Sequence, residues 1–494
     1  MRHVAVLDEG TTSTRAVVFA DDGAVVAESS RRLGIHTPAG LKVEQDPVAI
    51  VEASADVLRE ALAAARGAGR DVECVAITNQ RTSTTLLDAA TGAPVSPTVS
   101  WQDGRAAAAV DAIRPAWGAR FERATRTNLA ACNVALHAAA LLEDPRLRRR
   151  ADEGRLILGT VDTVLLSALA GLHATSASNA SAYGAMDFLA QDWWDEWLRL
   201  LDLPRTMMPT ILADDADFGL TDGDRIGAEL PIRCVIADQQ SALFGHAGFE
   251  VGAAKCTLGT GTFLNFNIGD QIPESLGGLD LRTAWAVGST SVNCLEGASL
   301  VSGSAIEWLT QDMGLLGSPS DVDAACGAAT PSGLVVVPAL AGLASPTWDA
   351  AARGTAFGMS RHTSDADFVE ATVTGIAQSV VDLLEAMTAV SGIRPTSLSV
   401  DGGLSRSRYL LQMISDLSGV PVARPAGSEY ATARGAAWIA GVASGIWADP
   451  AEAAAGRTIE RRFEPRMRES ERSARRAAWQ DALGRTIGWR ARQF

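Results

Sequence analysis

Two short segments rich in glycine and threonine carry the residue types that could hold a phosphate group. The first, residues 8–15, reads DEGTTSTR, and the second, residues 258–262, reads LGTGT. Glycine lets backbone N–H groups approach an anion closely, and threonine hydroxyls add short hydrogen-bond donors. Each segment lies between two apolar runs, a pattern that predicts a β-hairpin with the segment at its turn. The presence of such a hairpin turn in both halves favours two similar domains, each of which contributes a phosphate-binding turn to one cleft.

Polar and charged residues also follow several predicted strands. The apolar run 72–77 leads into TNQRT, and the run 98–101 leads into QDGR. Residues 234–237 lead into Asp238 and Gln239, and residues 398–400 lead into DGG. Because open α/β sheets bind their ligands at strand ends, these positions are predicted to form the site.

Length, composition and charge indicate a globular protein of two domains. A chain of 494 residues exceeds one ordinary core, and 47% hydrophobic with 20% charged residues is typical of a folded enzyme. We expect domains at 1–245 and 246–494. The net charge of −15 opposes binding to nucleic acid or to an anionic membrane.

Cysteine usage and the N-terminus predict a cytoplasmic protein. The six cysteines are scattered without metal-binding or paired spacing, which fits reduced thiols. The chain reaches Asp8 and Glu9 too early for a signal peptide. Its apolar runs are shorter than the roughly 18 residues that span a bilayer.

Simpler interpretations of the individual features remain open. A glycine–threonine turn can be an ordinary hairpin, and Asp238 can simply cap the helix that follows it. The tryptophans within 193–197 could bind a sugar ring, but their helical spacing favours core packing. The charged tail from residue 466 predicts an amphipathic surface helix packed by Trp479 and Trp489.

Taken together, these segments resemble the FGGY carbohydrate kinases. The resemblance runs nearly end to end, through DEGTTSTRAVVF, ITNQR, WQDGR, GTVDT, SNAS, ADQQSALFG, LGTGTF, GSAIEWL, VVPALAGL, RGTAFG and DGGLSRS. It implies an α/β fold of two ribonuclease-H-like domains, of the actin/hexokinase type, that close on Mg-ATP and a small polyol or sugar. It also implies ATP-dependent phosphorylation of a hydroxyl, with glycerol as the default acceptor, and is compatible with a homodimer. The alternative acceptors are tetritols or ketopentoses such as erythritol, threitol, xylulose or ribulose.

The resemblance assigns the two carboxylates that phosphoryl transfer requires. Transfer to an alcohol needs a proton acceptor for the hydroxyl and positive groups on the phosphates. The resemblance makes Asp238 the proton acceptor and lets Asp8 hold Mg²⁺, through water. A catalytically silent, actin-like nucleotide-binding regulator is the non-enzyme alternative. The joint presence of both carboxylates argues against it, because a sensor needs no base.

The resemblance also implies two sets of binding residues. The ATP-binding set is Thr11, Thr12, Ser13, Arg15, Gly259, Thr260, Gly303, Glu307, Gly402, Gly403 and Ser407. The substrate-binding set is Arg81, Thr82, Trp101, Cys132, Asp238, Gln239 and Phe263. In such a pocket, arginine and glutamine bond hydroxyls while the aromatic rings cover the carbon edge.

Four of these residues depart from the family pattern. Thr82 stands where the family has an acid, Cys132 where it has a tyrosine, and Ser407 and Glu307 replace an asparagine and a glutamine. The first two changes weaken the grip on a three-carbon ligand and leave room for a longer one. They predict that a four- or five-carbon acceptor is used more efficiently than glycerol.

Overall fold

A computed structural model describes residues 1–330 and 333–489 and divides into two compact units. Unit 1 consists of three segments, Met1–Ala247, Leu281–Asn293 and Tyr430–Arg457. Unit 2 consists of the other three, Gly248–Asp280, Cys294–Glu429 and Thr458–Phe494. Two segments from the second half of the chain therefore fold as part of unit 1.

The first half of the chain alternates strands and helices. Its strands are β1 (His3–Glu9), β2 (Ser13–Ala20), β3 (Val25–Arg32), β4 (Glu44–Gln45), β5 (Val72–Asn79), β6 (Thr85–Asp88), β7 (Thr98–Val99), β8 (Leu156–Gly159), β9 (Ala174–Ser176), β10 (Met186–Asp187), β11 (Asp192–Trp193), β12 (Thr210–Leu212) and β13 (Ile232–Ala237). Its α-helices are α1 (Pro47–Gly67), α2 (Ala107–Thr125), α3 (Val134–Leu141), α4 (Pro145–Asp152), α5 (Val161–Ala170), α6 (Ala177–Ala180), α7 (Asp195–Leu200), α8 (Gly223–Ile226) and α9 (Asp238–Gly245).

The main sheet of unit 1 has the strand order β13-β5-β1-β2-β3. Strands β1, β2 and β3 are antiparallel neighbours, whereas β5 and β13 join parallel to β1 and to each other. Helix α1 starts at Pro47 behind the Asp46 side chain, which accepts from the Val48 N–H at 2.9 Å. Its apolar face, including Leu58 and Leu62, packs on this sheet and on α5.

The second half of the chain repeats the alternation. Its strands are β14 (Ala253–Leu258), β15 (Thr262–Gly269), β16 (Asp280–Val287), β17 (Thr290–Ser299), β18 (Val335–Val337), β19 (Thr355–Phe357), β20 (Ser397–Asp401), β21 (Val422–Pro425) and β22 (Ile459–Phe463). Its α-helices are α10 (Gly303–Gln311), α11 (Val322–Ala328), α12 (Asp365–Ser391), α13 (Arg408–Ser418), α14 (Ala431–Ala443), α15 (Pro450–Ala454) and α16 (Glu469–Thr486).

The main sheet of unit 2 contains the order β17-β15-β14-β20-β21-β22. Strands β14 and β15 form an antiparallel hairpin, and β20 and β21 are added parallel on the side of β14. This is the arrangement of the unit 1 sheet, with β14, β15, β17, β20 and β21 in place of β1, β2, β3, β5 and β13. The prediction of two ribonuclease-H-like α/β domains is confirmed.

The prediction that the apolar segments are too short to span a bilayer does not hold for the long helix α12. It has 27 residues with a mean hydropathy of 1.3 over its most apolar window, long and apolar enough to cross a bilayer. Asp382 and Glu385 interrupt the apolar residues of this helix, so the sequence contains no uninterrupted apolar run of this length. In the fold, 56% of that window is buried inside unit 2, which is how the core helix of a globular domain behaves.

The aromatic residues divide between core and surface. Trp193 and Trp197 are buried, as predicted, and Trp197 packs on Phe121 with ring centroids 4.9 Å apart. Trp479 is also buried, but the prediction that Trp489 packs the C-terminal helix is wrong. Trp489 lies beyond the end of α16 and is 52% exposed. The last part of the predicted tail, residues 490–494, lies outside the described residues.

Candidate active site

The turn between β1 and β2 is held by a network of buried amides. The Trp101 indole donates to the Thr11 hydroxyl at 2.8 Å, and that hydroxyl donates to Gln80 Oε1 at 3.1 Å. Gln45 donates to the Thr11 carbonyl at 2.9 Å, and Gln80 donates to Gln45 Oε1 at 3.0 Å. Gln45 and Gln80 are almost fully buried, so they fix the turn without facing solvent. Sequence reasoning missed both, although Gln80 belongs to the ITNQR stretch beside Arg81.

Acidic and basic groups meet beside the turn of this hairpin. Arg15 donates to Asp8 Oδ2 at 2.9 Å, and its guanidinium lies 5.1 Å from the centre of the Tyr430 ring. The Tyr430 hydroxyl in turn donates to Glu28 at 2.8 Å. Burial raises the pKa of the Asp8 carboxyl, and the charge of Arg15 opposes that shift. The predicted residues Thr12 and Ser13 are exposed at the turn.

The predicted base lies at the end of a strand, beside the predicted substrate arginine. Strands β5 and β13 run parallel with Asn79 opposite Ala237, so Arg81 and Asp238 leave the sheet at the same edge. The Arg81 Nε lies 3.5 Å from Asp238 Oδ1, and that oxygen also accepts from the Gln239 N–H at 2.7 Å. Helix α9 begins at Asp238, so this residue lies in the first turn of the helix and not before it.

Thr82 and Cys132, two of the residues that depart from the family pattern, are located in loops. Thr82 has a φ of +59°, a left-handed conformation that is rare for a β-branched residue. Cys132 is half-buried in the segment between α2 and α3. Thr84 contacts His137 at the start of α3, with 3.3 Å between the hydroxyl and Nδ1. Burial lowers the pKa of His137 to about 4, so this imidazole is neutral at physiological pH.

The turn between β14 and β15 is joined to the start of α10. The Gly303 N–H donates to the Gly259 carbonyl at 2.8 Å, and the Ser304 N–H donates to the Thr260 carbonyl at 3.1 Å. A side chain at Gly303 would overlap the Gly259 carbonyl. Gly402 has a φ of +85° and approaches the Leu258 carbonyl closely, so both features of this position require glycine.

Most of the predicted nucleotide residues of unit 2 line one cavity of about 570 Å³. Gly259, Thr260, Gly303, Glu307, Gly403 and Ser407 all contribute to its wall, together with Ile306, Pro319, Val322 and Leu404. The apolar side chains and the exposed backbone of the turns suit a base next to phosphates, and the volume is typical of a ligand site. Phe263, predicted for the substrate pocket, lies on β15 of the same unit and is half-buried.

Asp323 is a wall residue of this cavity that sequence reasoning missed. It accepts from the Ser407 hydroxyl at 2.5 Å and from the Arg408 N–H at 2.8 Å, which ties α11 to the start of α13. The Ser407 hydroxyl also accepts from the Leu410 N–H at 3.1 Å as the cap of α13. Ser407 therefore has its donor committed to Asp323. Asp323 lies 84 residues from Ser407 in sequence, so the residues around Ser407 give no indication of this contact.

Comparison with known proteins covers nearly the whole chain. Residues 3–245 match the N-terminal domain, and residues 254–444 the C-terminal domain, of the FGGY family of carbohydrate kinases. Glycerol kinase 2 of Thermotoga maritima is 37% identical over 100% of both chains. The glycerol kinase of Bordetella parapertussis is 39% identical over 98% of this chain and 97% of its own.

Solved structures agree with this assignment. The glycerol kinase of Plasmodium falciparum, solved with ADP, superimposes with a TM-score of 0.95 at 26% identity, over 99% of each chain. The xylulose kinase of Lactobacillus acidophilus has a TM-score of 0.87 at 18% identity over 99% of each chain, a likeness of fold. The fold and these matches identify a two-domain carbohydrate kinase of the actin/hexokinase type. The chain belongs to the FGGY family of carbohydrate kinases, as its sequence predicted.

Proposed function

We propose that this protein transfers the γ-phosphoryl group of ATP to a hydroxyl of a small polyol, with glycerol as the default acceptor. The full-length likeness to glycerol kinases supports the reaction. The observation that carries it is the Asp238 carboxylate at a strand end, 3.5 Å from the Arg81 guanidinium. A base and a hydroxyl-binding cation at this spacing can hold one alcohol oxygen between them.

The acceptor side of the reaction follows from these two residues. Arg81 donates to an acceptor hydroxyl and orients it toward the γ-phosphorus, while Asp238 accepts its proton as the new P–O bond forms and ADP leaves. Gln239, the next residue of α9, adds a second hydrogen-bonding group. Trp101 covers the carbon chain of the acceptor, with its indole N–H anchored on Thr11.

The nucleotide side is proposed for the unit 2 cavity and the two hairpin turns. The base and ribose occupy the cavity walled by α10, α11 and the start of α13. The turns at Thr11 and Thr260 receive the phosphates through N–H and hydroxyl donors. In this proposal residues 1–245 carry the acceptor site and residues 246–494 the adenosine site.

Asp8 is the proposed partner of Mg²⁺. Among the described residues there is no cluster of three or more potential metal ligands, so a permanent protein-built site is absent there. A single carboxylate beside the phosphate turn fits Mg²⁺ well, because this ion keeps several waters and takes its other ligands from phosphates. When bound, Mg²⁺ neutralises charge on the transferred phosphoryl group. Arg15 holds the Asp8 carboxylate in place for that role.

The cytoplasm is the proposed compartment. Cys74, Cys234, Cys256 and Cys326 are buried thiols, and burial raises the pKa of the Cys74 thiol to about 11. Protonated, buried thiols of this kind suit a reducing environment.

A longer acceptor is the second candidate, and it is favoured by Thr82 and Cys132. Loss of one hydrogen bond to a charged group costs about 1.5–3 kcal/mol, or roughly ten- to a hundredfold in affinity. Thr82 is uncharged and shorter than an acid, and its left-handed backbone directs the loop away from an ordinary extended path. A fourth or fifth carbon with another hydroxyl would fill the space that these residues leave.

The test is kcat/KM measured with ATP for glycerol, erythritol, threitol, xylulose and ribulose. The enlarged-pocket argument expects a four- or five-carbon acceptor to lead, and T82E to shift the preference back toward glycerol. T206E, at an exposed threonine of the same unit, is the matched control and should leave the ranking unchanged. A clear lead for glycerol refutes the longer acceptor and leaves glycerol phosphorylation standing. Failure of all five acceptors contradicts the proposed reaction.

A further inference from the structure

The SNAS stretch, residues 178–181, overlaps α6 (Ala177–Ala180), a four-residue helix in the interior of unit 1. Its four residues are buried, and Ser178 and Asn179 are 0% and 2% exposed. Buried hydroxyl and amide groups are costly unless they are paired, so their partners show what the helix holds together. These partners lie on the two strands that end at the proposed base and at the substrate arginine.

Ser178 connects α6 to the residue that precedes the base. Its hydroxyl accepts from the Ala237 N–H at 3.1 Å and donates to Asp214 Oδ1 at 2.5 Å. The other oxygen of Asp214 accepts from the Ala286 N–H at 2.7 Å, which anchors the carboxylate from a second side. The last backbone group before Asp238 is thereby tied to a fully buried carboxylate.

Asn179 connects the same helix to the strand that leads to Arg81. Its side-chain amide exchanges two hydrogen bonds with that of Asn79, at 3.0 and 3.1 Å. Asn79 also donates to the Gln80 carbonyl at 2.8 Å, immediately before Arg81. Asn179 is itself held by Ser176, whose hydroxyl accepts from its amide at 3.1 Å.

We infer that α6 sets the separation between Arg81 and Asp238, with Ser178 and Asn179 as positioning residues. One residue of the helix grips the end of β13 and the next grips the end of β5. The ends of both strands are therefore hydrogen-bonded to the same short helix. Their separation does not depend only on the backbone hydrogen bonds between β5 and β13. This inference rests on the proposed function for the roles of Arg81 and Asp238. It adds that their spacing is set by a group that touches neither substrate.

The experiment compares S178A with S181A. Ser181 belongs to the same helix end and is also buried, but its hydroxyl donates only to the Ser178 carbonyl, at 2.7 Å. We expect S178A to lower kcat by roughly 10- to 100-fold relative to S181A, with KM for ATP within about twofold of wild type. S178T, which keeps the hydroxyl, should recover most of kcat. N179S removes the amide pair with Asn79 without adding bulk, and it should lower kcat as S178A does. If S178A does not fold, the kcat of N179S tests the inference in its place.

Crystal structures of the same variants make the test independent of turnover. The Arg81 Nε to Asp238 Oδ1 distance should lengthen by more than roughly 0.5 Å in S178A or N179S and stay unchanged in S181A. Equal kcat in S178A and S181A, or an unchanged separation, overturns the inference. If wild type phosphorylates none of the acceptors, the proposed function fails, and the crystallographic separation still decides whether α6 positions the pair.

Discussion

At the residue scale, Asp238 combines a fixed orientation with access to a ligand. Its Oδ1 accepts from the Gln239 N–H and faces Arg81, and about 30% of its side chain remains exposed. A carboxylate held in this way can accept a proton without first reorganising.

We therefore expect D238N to lower kcat by about 10²- to 10⁴-fold, because asparagine keeps the shape but cannot take the proton. ATP affinity, measured by calorimetry, should be retained because the residues proposed to bind adenosine lie in unit 2. D222N is the matched control, since Asp222 also accepts backbone N–H groups in a helix first turn. Near-normal turnover of D238N would remove Asp238 from the role of base.

Glu9, the neighbour of Asp8, is a carboxyl group without contact with solvent. Ser54 donates to its Oε2 at 3.2 Å, while its Oε1 has no hydrogen-bond partner among the described residues. Burial raises the pKa of Glu9 from 4.5 to about 8. The folded protein therefore keeps a proton at neutral pH that the unfolded chain releases.

The sign of the pH dependence follows from that raised pKa. The contribution of Glu9 to stability is complete below pH 4.5 and is lost as the pH rises through about 8. Relative to E9Q, wild type should lose about 1.4 kcal/mol of unfolding free energy per pH unit across this range. Urea unfolding between pH 5 and 9 measures it, with E52Q on the exposed face of α1 as control. Parallel curves for wild type and E9Q would contradict the prediction.

At the element scale, α9 and α14 cross at two glycines. A Cβ at Gly435 would overlap the Ser241 carbonyl, and a Cβ at Gly245 would overlap the Ala431 carbonyl. The Ser241 hydroxyl reinforces the crossing by donating to the Thr432 carbonyl at 2.6 Å. Because α9 begins at Asp238, this contact determines where the proposed base stands.

G435A should force the two helices apart. We expect it to destabilise unit 1 by about 1–3 kcal/mol, the usual cost of overpacking, and to lower kcat more than KM for ATP. G484A is the control, because nothing lies within 4 Å of a Cβ there on α16 and alanine favours helix by up to about 1 kcal/mol. Thermal unfolding and steady-state kinetics of both variants measure these effects. Equal stability of G435A and wild type would show that the crossing tolerates a wider spacing.

At the scale of the whole molecule, the same sheet topology occurs twice with different surroundings. In unit 1 the strand ends carry Arg81 and Asp238, whereas in unit 2 they open on the cavity lined by Gly259, Gly403 and Ser407. Repetition of a fold with different strand-end residues allows one copy to take the acceptor and the other the nucleoside.

This division predicts different ligand footprints in amide hydrogen exchange. A non-hydrolysable ATP analogue should slow exchange mainly in α10, α11 and residues 402–410, with a smaller effect at 10–13. The acceptor alone should slow exchange at 79–83 and at the start of α9. Ligands protect the amides that they cover, so the reverse pattern would refute the proposed roles of 1–245 and 246–494. An unrelated nucleoside diphosphate sugar serves as the control for nonspecific protection.

Features that depend on neighbours along the chain could be predicted from the sequence. Alternating apolar runs around glycine and threonine defined both hairpins, and polar residues after short apolar runs marked the strand ends at Arg81 and Asp238. Local periodicity and turn-forming residues act over a few positions, so they can be recognised from the sequence alone. The family resemblance, which rests on the same short stretches, was confirmed for residues 3–245 and 254–444, and a relative matches over the full length of the chain.

The distant groups that support the site could be identified from the three-dimensional fold alone. Gln45 and Gln80 hold the turn at Thr11, Asp323 holds Ser407, and α6 joins the ends of β5 and β13. The three-dimensional fold also shows that 281–293 and 430–457 fold within unit 1, which brings the helix crossing at Gly435 to α9. These contacts join residues tens to hundreds of positions apart. They depend on how buried polar groups find partners and on how closely backbones approach, neither of which leaves a periodic pattern in sequence.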